Sequence, residues 1–223
     1  MNSEEIKLMP EEGAYKARID FPDNRTGKAI LFMPGISSGP WGSMFDELAE
    51  KATKNGYLFL RFESWTNAED LQKKTLGDIH REMDAAIEKI KEDGCTEINI
   101  VGKSFGGGVS LSYIPDSVKK LVLWAPAVGV KNKSNINYWI NTALKNAEEL
   151  TDIAVGHDYL KSLDLPIKII HGTNDTIISL KNSEEIIQYL QKGTLSRIEG
   201  AEHSYNEEEH KMQVIKETLD FLT

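Results

Sequence analysis

Cysteine is almost absent from this chain: Cys95 is the only one in 223 residues. One cysteine cannot form an internal disulfide, and Cys95 stands just before a predicted strand with no histidine nearby in the sequence. This context favours an incidental thiol over a catalytic or metal-binding one. Because a chain without disulfides suits a reducing compartment, we expect a cytoplasmic protein.

Long apolar runs are also absent. No stretch approaches the roughly 20 apolar residues that a membrane-spanning helix needs. Residues 1–6 have neither the basic nor the apolar region of a secretory signal. We therefore expect neither a membrane span nor a leader peptide.

Positive charge is in deficit, since 26 Lys and Arg face 35 Asp and Glu, for a formal net charge of −9. Nucleic acids and anionic membranes bind clustered Lys and Arg, so we expect neither as a partner. No cysteine, histidine or carboxylate cluster has the spacing of metal ligands, so we expect no metal site. The oligomeric state leaves no mark on the sequence.

The chain does contain alternating strand and helix patterns. Seven apolar runs predict strands at 15–21, 28–34, 57–62, 97–102, 120–125, 166–171 and 194–199. Amphipathic patterns predict helices at 43–54, 76–92, 180–191 and 207–222. This alternation predicts an α/β fold: a doubly wound, mostly parallel sheet of about seven strands with helices on both faces. Because no repeat or linker interrupts it, we predict a single domain over residues 1–223.

One irregular stretch, around 127–164, separates two of the predicted strands. It contains apolar residues at helical spacing: Ile136, Trp139, Ile140, Ala143, Leu144, Ala147 and Leu150. The pattern predicts an amphipathic helix. A short lid or cap insertion and a plain helix packed on the sheet are equally compatible with it.

A glycine-flanked serine follows the strand predicted at 97–102, within the segment Gly-Lys-Ser-Phe-Gly at 102–106. A turn this tight strains its central residue and needs glycine at its flanks. It holds the hydroxyl of Ser104 beside the N-terminus of the next helix, so Ser104 is a candidate nucleophile. A phosphate-binding P-loop is excluded, because that motif requires glycine where Glu97 stands.

A candidate acid and base follow in loops after later strands. Asp175 follows the strand at 166–171, and His203 follows the strand at 194–199. A serine becomes nucleophilic when an imidazole takes its proton and a carboxylate orients that imidazole. Other acidic residues and histidines are less well placed for these roles. Asp158 and Asp164 follow no strand, and His157 lies in the irregular stretch. His171 is expected to be packed, whereas His80 and His210 are expected to face solvent.

In these three motifs and their order, the chain resembles the α/β-hydrolase superfamily, and most closely its compact esterase and dienelactone-hydrolase-like members. The resemblance implies a Ser104–Asp175–His203 triad and a cap where the irregular stretch lies. It also implies an oxyanion hole formed by the N–H groups of Phe105 and Ile36. Pro34 stands where the family often has histidine, which leaves the N–H of Ser37 as an alternative to Ile36.

Two further expectations concern residues around the site. Trp41, Trp65 and Trp139 stand in loops and the cap near the strand ends, so they are candidates to line an acyl pocket; core packing explains each almost as well. Lys103, next to the serine, is expected to point to solvent or to a neighbouring loop.

These features together predict a serine hydrolase that cleaves small esters or thioesters through an acyl-enzyme intermediate. Its partner is a small-molecule acyl substrate, and the mechanism needs no cofactor. A peptidase or amidase, an acyltransferase, and a ligand-binding protein without turnover remain as alternatives, because one fold supports many functions.

Overall fold

The computed structural model describes residues 2–9, 15–36, 39–134, 136–145 and 153–223. The strands are β1 (Asn2–Leu8), β2 (Tyr15–Phe21), β3 (Lys28–Met33), β4 (Tyr57–Phe62), β5 (Glu97–Lys103), β6 (Val118–Trp124), β7 (Gly129–Lys131), β8 (Ala154–Gly156), β9 (Ile167–Gly172) and β10 (Gly193–Ile198). The helices are α1 (Ser43–Lys54), α2 (Ala68–Leu71), α3 (Leu76–Glu92), α4 (Phe105–Ser112), α5 (Ile136–Trp139), α6 (His157–Ser162), α7 (Leu180–Tyr189) and α8 (Glu208–Leu222).

Eight of the described strands form one sheet in the order β1-β2-β4-β3-β5-β6-β9-β10. All neighbours from β4 to β10 are parallel, whereas β2 runs antiparallel to β4 and β1 antiparallel to β2. The mostly parallel sheet confirms the predicted α/β fold class. In such a sheet, ligands bind at the carboxyl ends of the strands.

The first strand of this sheet is missing from the sequence-based prediction. Its residues, Asn2–Leu8, are mostly exposed, and its sequence Asn-Ser-Glu-Glu-Ile-Lys-Leu is too polar to give a strand signal. The strand lies at the edge of the sheet and pairs only with β2, where Ile6 faces Ala17. Hydrogen bonding to β2, whose strand pattern is clearer, holds β1 in the sheet. Charged residues are common on such edge strands.

Helices cover both faces of the sheet, and each face has its own apolar core. On one face, Leu31 of β3 packs in a cluster with Ile79 and Met83 of α3. On the other face, Phe32 of the same strand packs with Leu48 of α1. The alternation of neighbouring strand residues between the two clusters follows from the two-residue period of a strand.

Helix α3 shows how local sequence sets the element boundaries. The side chains of Thr75 and Asp78 bond each other's backbone N–H in a capping box at its start. Gly94 follows its end with a φ of 86°, in the left-handed region. Among the residues described, no helix is both long enough and apolar enough to cross a bilayer.

The irregular stretch differs from its prediction. The described part contains two short parallel strands, β7 and β8, and the four-residue helix α5. The expected helix ends at Trp139, and Ala143 instead makes an antiparallel bridge with Thr75. Residues Ala147 and Leu150 lie outside the described residues, so the prediction is wrong for the segment 140–145 and stays untested beyond it.

Candidate active site

The turn between β5 and α4 holds Ser104 in a strained conformation, with φ 50° and ψ −118°. A non-glycine residue rarely adopts a positive φ, and such strain is typical of functional turns. The flanking glycines are required by space. A Cβ on Gly106 would collide with the carbonyl oxygens of Pro34 and Met33, and one on Gly102 would come within 2.8 Å of the Gly106 oxygen.

Three side chains from separate loops meet at this turn. The Nε2 atom of His203 lies 2.9 Å from Oγ of Ser104, and its Nδ1 atom lies 2.6 Å from Oδ2 of Asp175. Ser104 is 3% exposed, so its hydroxyl is largely shielded from water. The structure thus brings the three predicted residues into one continuous hydrogen-bonded chain.

The loops after β9 and β10 converge because they are bonded to each other. The N–H of Asn174 donates to the oxygen of Ala201 at 3.0 Å, and the N–H of Gly200 donates to Oγ1 of Thr173 at 2.8 Å. Gly172 permits this approach, since a Cβ there would collide with the Ala201 oxygen. These contacts hold the acid loop and the histidine loop in register.

The carboxylate of Asp175 is fully buried and is held from several sides. Its Oδ1 accepts hydrogen bonds from the N–H groups of Ile177 and Ile178, both at 2.9 Å. Its Oδ2 lies 3.2 Å from Nε2 of His171 as well as 2.6 Å from His203. Burial alone would raise the pKa of this carboxyl, but the hydrogen bonds from His171, His203 and the N–H of Ile178 together lower the pKa below its usual value.

His171 is a contact of the acid that the sequence did not reveal. Its imidazole is buried; Nδ1 lies 2.6 Å from Oγ of Ser183, and Nε2 lies 2.9 Å from the oxygen of Ile178. The expectation that His171 is packed agrees with this. The contact between His171 and Asp175 could have been predicted from their spacing of four residues, because His171 lies at the end of β9 and Asp175 in the loop that follows it.

The loop after β3 is fixed at two successive carbonyl groups. The oxygen of Pro34 accepts from the N–H of Gly106 at 3.0 Å, and the oxygen of Gly35 accepts from Nε1 of Trp65 at 3.0 Å. Within the described residues, nothing accepts a hydrogen bond from the N–H of Ile36 or of Phe105. Both donors therefore remain available, and the alternative donor, Ser37, lies outside the described residues.

Comparison with known proteins identifies the family of this chain. The model of the dienelactone hydrolase family matches residues 61–219, well over half of the chain, and the match includes all three residues of the hydrogen-bonded chain. The chain belongs to the dienelactone hydrolase family. This confirms the resemblance seen in the sequence and makes a hydrolase the coarse functional assignment.

Solved structures of this fold agree with the family assignment. The chain is similar to Est1E from Butyrivibrio proteoclasticus, with a TM-score of 0.77, 18% identity, and coverage of 98% of this chain and 97% of that one. It is also similar to a dienelactone hydrolase from Anabaena variabilis, with a TM-score of 0.73, 17% identity, and coverage of 97% and 94%. No curated protein matches the sequence significantly. At these identities the structures establish the fold.

The three tryptophans predicted to line an acyl pocket take different positions in this member of the dienelactone hydrolase family. Trp65 is 1% exposed, and its ring meets that of Phe105 edge-on with the ring centres 5.3 Å apart, which agrees with the alternative of core packing. Trp41 bonds the carboxylate of Glu63 and lies over Arg61. Trp139 packs edge-on against Tyr138, and its Nε1 has no hydrogen-bond partner among the described residues. A substrate contact for Trp41 or Trp139 stays a prediction.

Two charged or titratable residues are more buried than expected. Lys103 is 7% exposed, with its ammonium 5.6 Å from the centre of the Phe45 ring, and burial lowers its pKa while nearby Asp175 opposes that shift. His80, expected to face solvent, is also 7% exposed and stacks on Tyr113. His210 is partly buried. The burial of Lys103 and His80 depends on tertiary packing, which their local sequence does not reveal.

Proposed function

We propose that this chain is a serine hydrolase that cleaves small carboxylic esters or thioesters through an acyl-enzyme intermediate. The supporting observation is the unbroken hydrogen-bonded chain from Ser104 through His203 to Asp175 at the carboxyl ends of the strands. A nucleophile within hydrogen-bond reach of a base, which a third group orients, is the arrangement that covalent acyl transfer requires.

Acylation begins when Oγ of Ser104 attacks the substrate carbonyl carbon while Nε2 of His203 takes the hydroxyl proton. The carbonyl electron pair moves onto oxygen, and the N–H groups of Ile36 and Phe105 stabilise the resulting oxyanion. When the intermediate collapses, the bond to the leaving group breaks. Imidazolium at His203 then protonates the departing alkoxide or thiolate, so that an alcohol or thiol leaves.

Deacylation repeats these steps with water. His203 takes a proton from a water molecule, whose oxygen attacks the acyl carbon, and the proton then passes to Oγ of Ser104 as the carboxylic acid is released. Throughout, the negative charge of Asp175 stabilises the protonated imidazole. The lowered pKa of this carboxyl keeps it ionised during turnover.

The class of product guides the choice of substrates. One structure of Est1E holds ferulic acid, a carboxylic acid of the kind that ester hydrolysis releases. We therefore include methyl ferulate with p-nitrophenyl acetate and a short acyl thioester as test substrates. An aminoacyl p-nitroanilide represents the amide alternative.

Steady-state kinetics with these substrates tests the proposal. We expect ester or thioester turnover that exceeds amide turnover and that falls by about 10⁶-fold in kcat, to background, in Ser104→Ala. Amide turnover far above ester turnover would favour a peptidase. Turnover that survives in Ser104→Ala would contradict the proposed nucleophile, and product analysis with an added alcohol separates hydrolysis from acyl transfer.

The remaining expectations stay proposals of the same account. We propose that residues 1–223 act as one domain, that the cap around 127–164 borders the substrate, and that the protein works in the cytoplasm on a small-molecule acyl substrate. Neither nucleic acid nor a membrane is required by this chemistry.

A further inference from the structure

We propose that Trp65 is a positioning residue for the oxyanion hole: its indole N–H fixes the peptide group whose other side carries the N–H of Ile36. This inference rests on the proposed function and adds a specific role for a residue that does not touch the substrate. The contact that supports it is the bond from Nε1 of Trp65 to the oxygen of Gly35, at 3.0 Å.

A single peptide group connects the Trp65 hydrogen bond to the N–H of Ile36. The carbonyl of Gly35 and the N–H of Ile36 belong to the same planar unit, and none of the described peptide bonds is cis. In a trans peptide these two groups point in opposite directions. Trp65 holds the carbonyl toward itself, so the Ile36 N–H must point away from the indole, where no described residue accepts its bond.

The neighbouring peptide group is fixed independently. The oxygen of Pro34 accepts a hydrogen bond from the N–H of Gly106, two residues after Ser104, at 3.0 Å. This bond sets the distance between the loop and the nucleophile turn but leaves rotation of the Gly35–Ile36 peptide group undetermined. The Trp65 bond removes that freedom, because rotating the peptide would break a buried hydrogen bond.

The same side chain also contacts the second proposed donor. The ring of Trp65 meets the ring of Phe105 at 87° with centres 5.3 Å apart, and both side chains are 1% exposed. An edge-on aromatic pair of this kind is favourable and directional. One buried indole therefore braces both residues whose N–H groups would bind the oxyanion.

Replacing Trp65 by Phe removes the N–H and keeps an aromatic ring. We expect kcat for p-nitrophenyl acetate to fall by about 10-fold to 100-fold with little change in KM, since loss of a whole oxyanion donor costs about 100-fold to 1,000-fold and a misplaced one costs part of that. An alkyl trifluoromethyl ketone, whose adduct with Ser104 carries an oxyanion, should bind more weakly by a similar factor.

Tyr57→Phe is the matched control. Tyr57 is also 1% exposed and donates to a main-chain oxygen, that of Leu222, at 2.7 Å, but it begins β4 and so lies at the amino end of this strand, away from Ser104 at the carboxyl ends of the strands. Both variants lose one buried bond to a carbonyl, and Trp65→Phe also leaves a cavity beside the smaller ring, so both should lose stability. Only Trp65→Phe should lose kcat and affinity for the ketone.

A second variant decides the question if Trp65→Phe folds poorly. Genetic incorporation of 3-benzothienylalanine at position 65 replaces the indole N–H by sulfur and keeps the shape of the ring system. An unchanged kcat and ketone affinity in this protein would overturn the inference. If wild-type protein instead fails to hydrolyse any ester, the proposed function itself fails, and the two failures are therefore distinguishable.

Discussion

At the scale of single residues, the carboxylate of Asp175 is held by two histidines and two backbone N–H groups. Burial opposes ionisation of this carboxyl, but the hydrogen bonds from His171, His203 and the N–H of Ile178 favour it and lower the pKa. An ionised, fixed carboxylate selects the tautomer of His203 that presents Nε2 to the serine. The imidazole of His171 belongs to this support, since it meets the same carboxylate oxygen as His203.

Replacement of Asp175 by Asn tests its role. We expect kcat to fall by about 10⁴-fold near neutral pH, because an amide no longer selects the productive tautomer of the imidazole. Asp158→Asn is the control, as this rival carboxylate lies in the first turn of α6. Equal losses in the two variants, measured with the same ester, would contradict the assignment of Asp175.

The sequence predicted the three residues of the hydrogen-bonded chain because each has a local signature. Ser104 stands between glycines, and Asp175 and His203 each follow an apolar strand. No such signature exists for the burial of Lys103. Nor does one exist for the hydrogen bond between Trp65 and Gly35, because these two residues are 30 positions apart in the sequence. Contacts of this kind depend on how distant elements pack.

At the scale of elements, β3 and α4 meet in a close backbone contact next to Ser104. The start of α4 approaches the end of β3 so closely that the N–H of Gly106 bonds the Pro34 oxygen. Backbone-to-backbone contact of this kind leaves no room for a side chain. The position of the proposed oxyanion loop therefore depends on one small residue.

Gly106→Ala should disrupt this join. The added methyl group would collide with the oxygens of Pro34 and Met33, so we expect a loss of about 2 kcal/mol in unfolding free energy and a fall in kcat. Gly94→Ala is the control: it has open space but a φ of 86°, and it should cost about 1 kcal/mol without affecting kcat. Urea unfolding and ester kinetics measure the two effects, and a stable, fully active Gly106→Ala protein would refute the tight contact.

The sequence was least informative for the edge strand and for the irregular stretch around 127–164. The edge strand β1 is polar and depends on its partner β2, so its own pattern does not reveal it. In the irregular stretch, helical spacing of apolar residues predicted a helix that the structure ends at Trp139. The N–H of Leu144 bonds the oxygen of Lys74, and that of Gly77 bonds the oxygen of Ile140, so tertiary contacts replace helical bonds in this segment.

At the scale of the whole molecule, buried His80 makes stability depend on pH. Burial lowers the pKa of this imidazole from 6.5 to about 4. Between these values the unfolded chain binds a proton that the folded protein does not, so stability falls as the pH drops from 6.5 toward 4. The slope is about 1.4 kcal/mol per pH unit at most.

Removal of this titration in His80→Gln should make the protein less sensitive to acid. We expect the difference in unfolding free energy between pH 7 and pH 4.5 to shrink by about 2 kcal/mol relative to wild type, since the neutral amide has no proton to gain. Urea unfolding at the two pH values measures it. An unchanged difference would show that His80 is protonated within the folded protein.

The proposed identity of Ser104 as the nucleophile is tested most directly by locating the residue that reacts with an acylating or phosphonylating agent. Native protein is treated with a fluorophosphonate, digested, and mapped by mass spectrometry. We predict a single phosphonylated residue, Ser104, with labelling abolished in Ser104→Ala and strongly slowed in His203→Gln. Absence of labelling in a protein that hydrolyses esters, or labelling of another residue that persists in Ser104→Ala, would contradict the account.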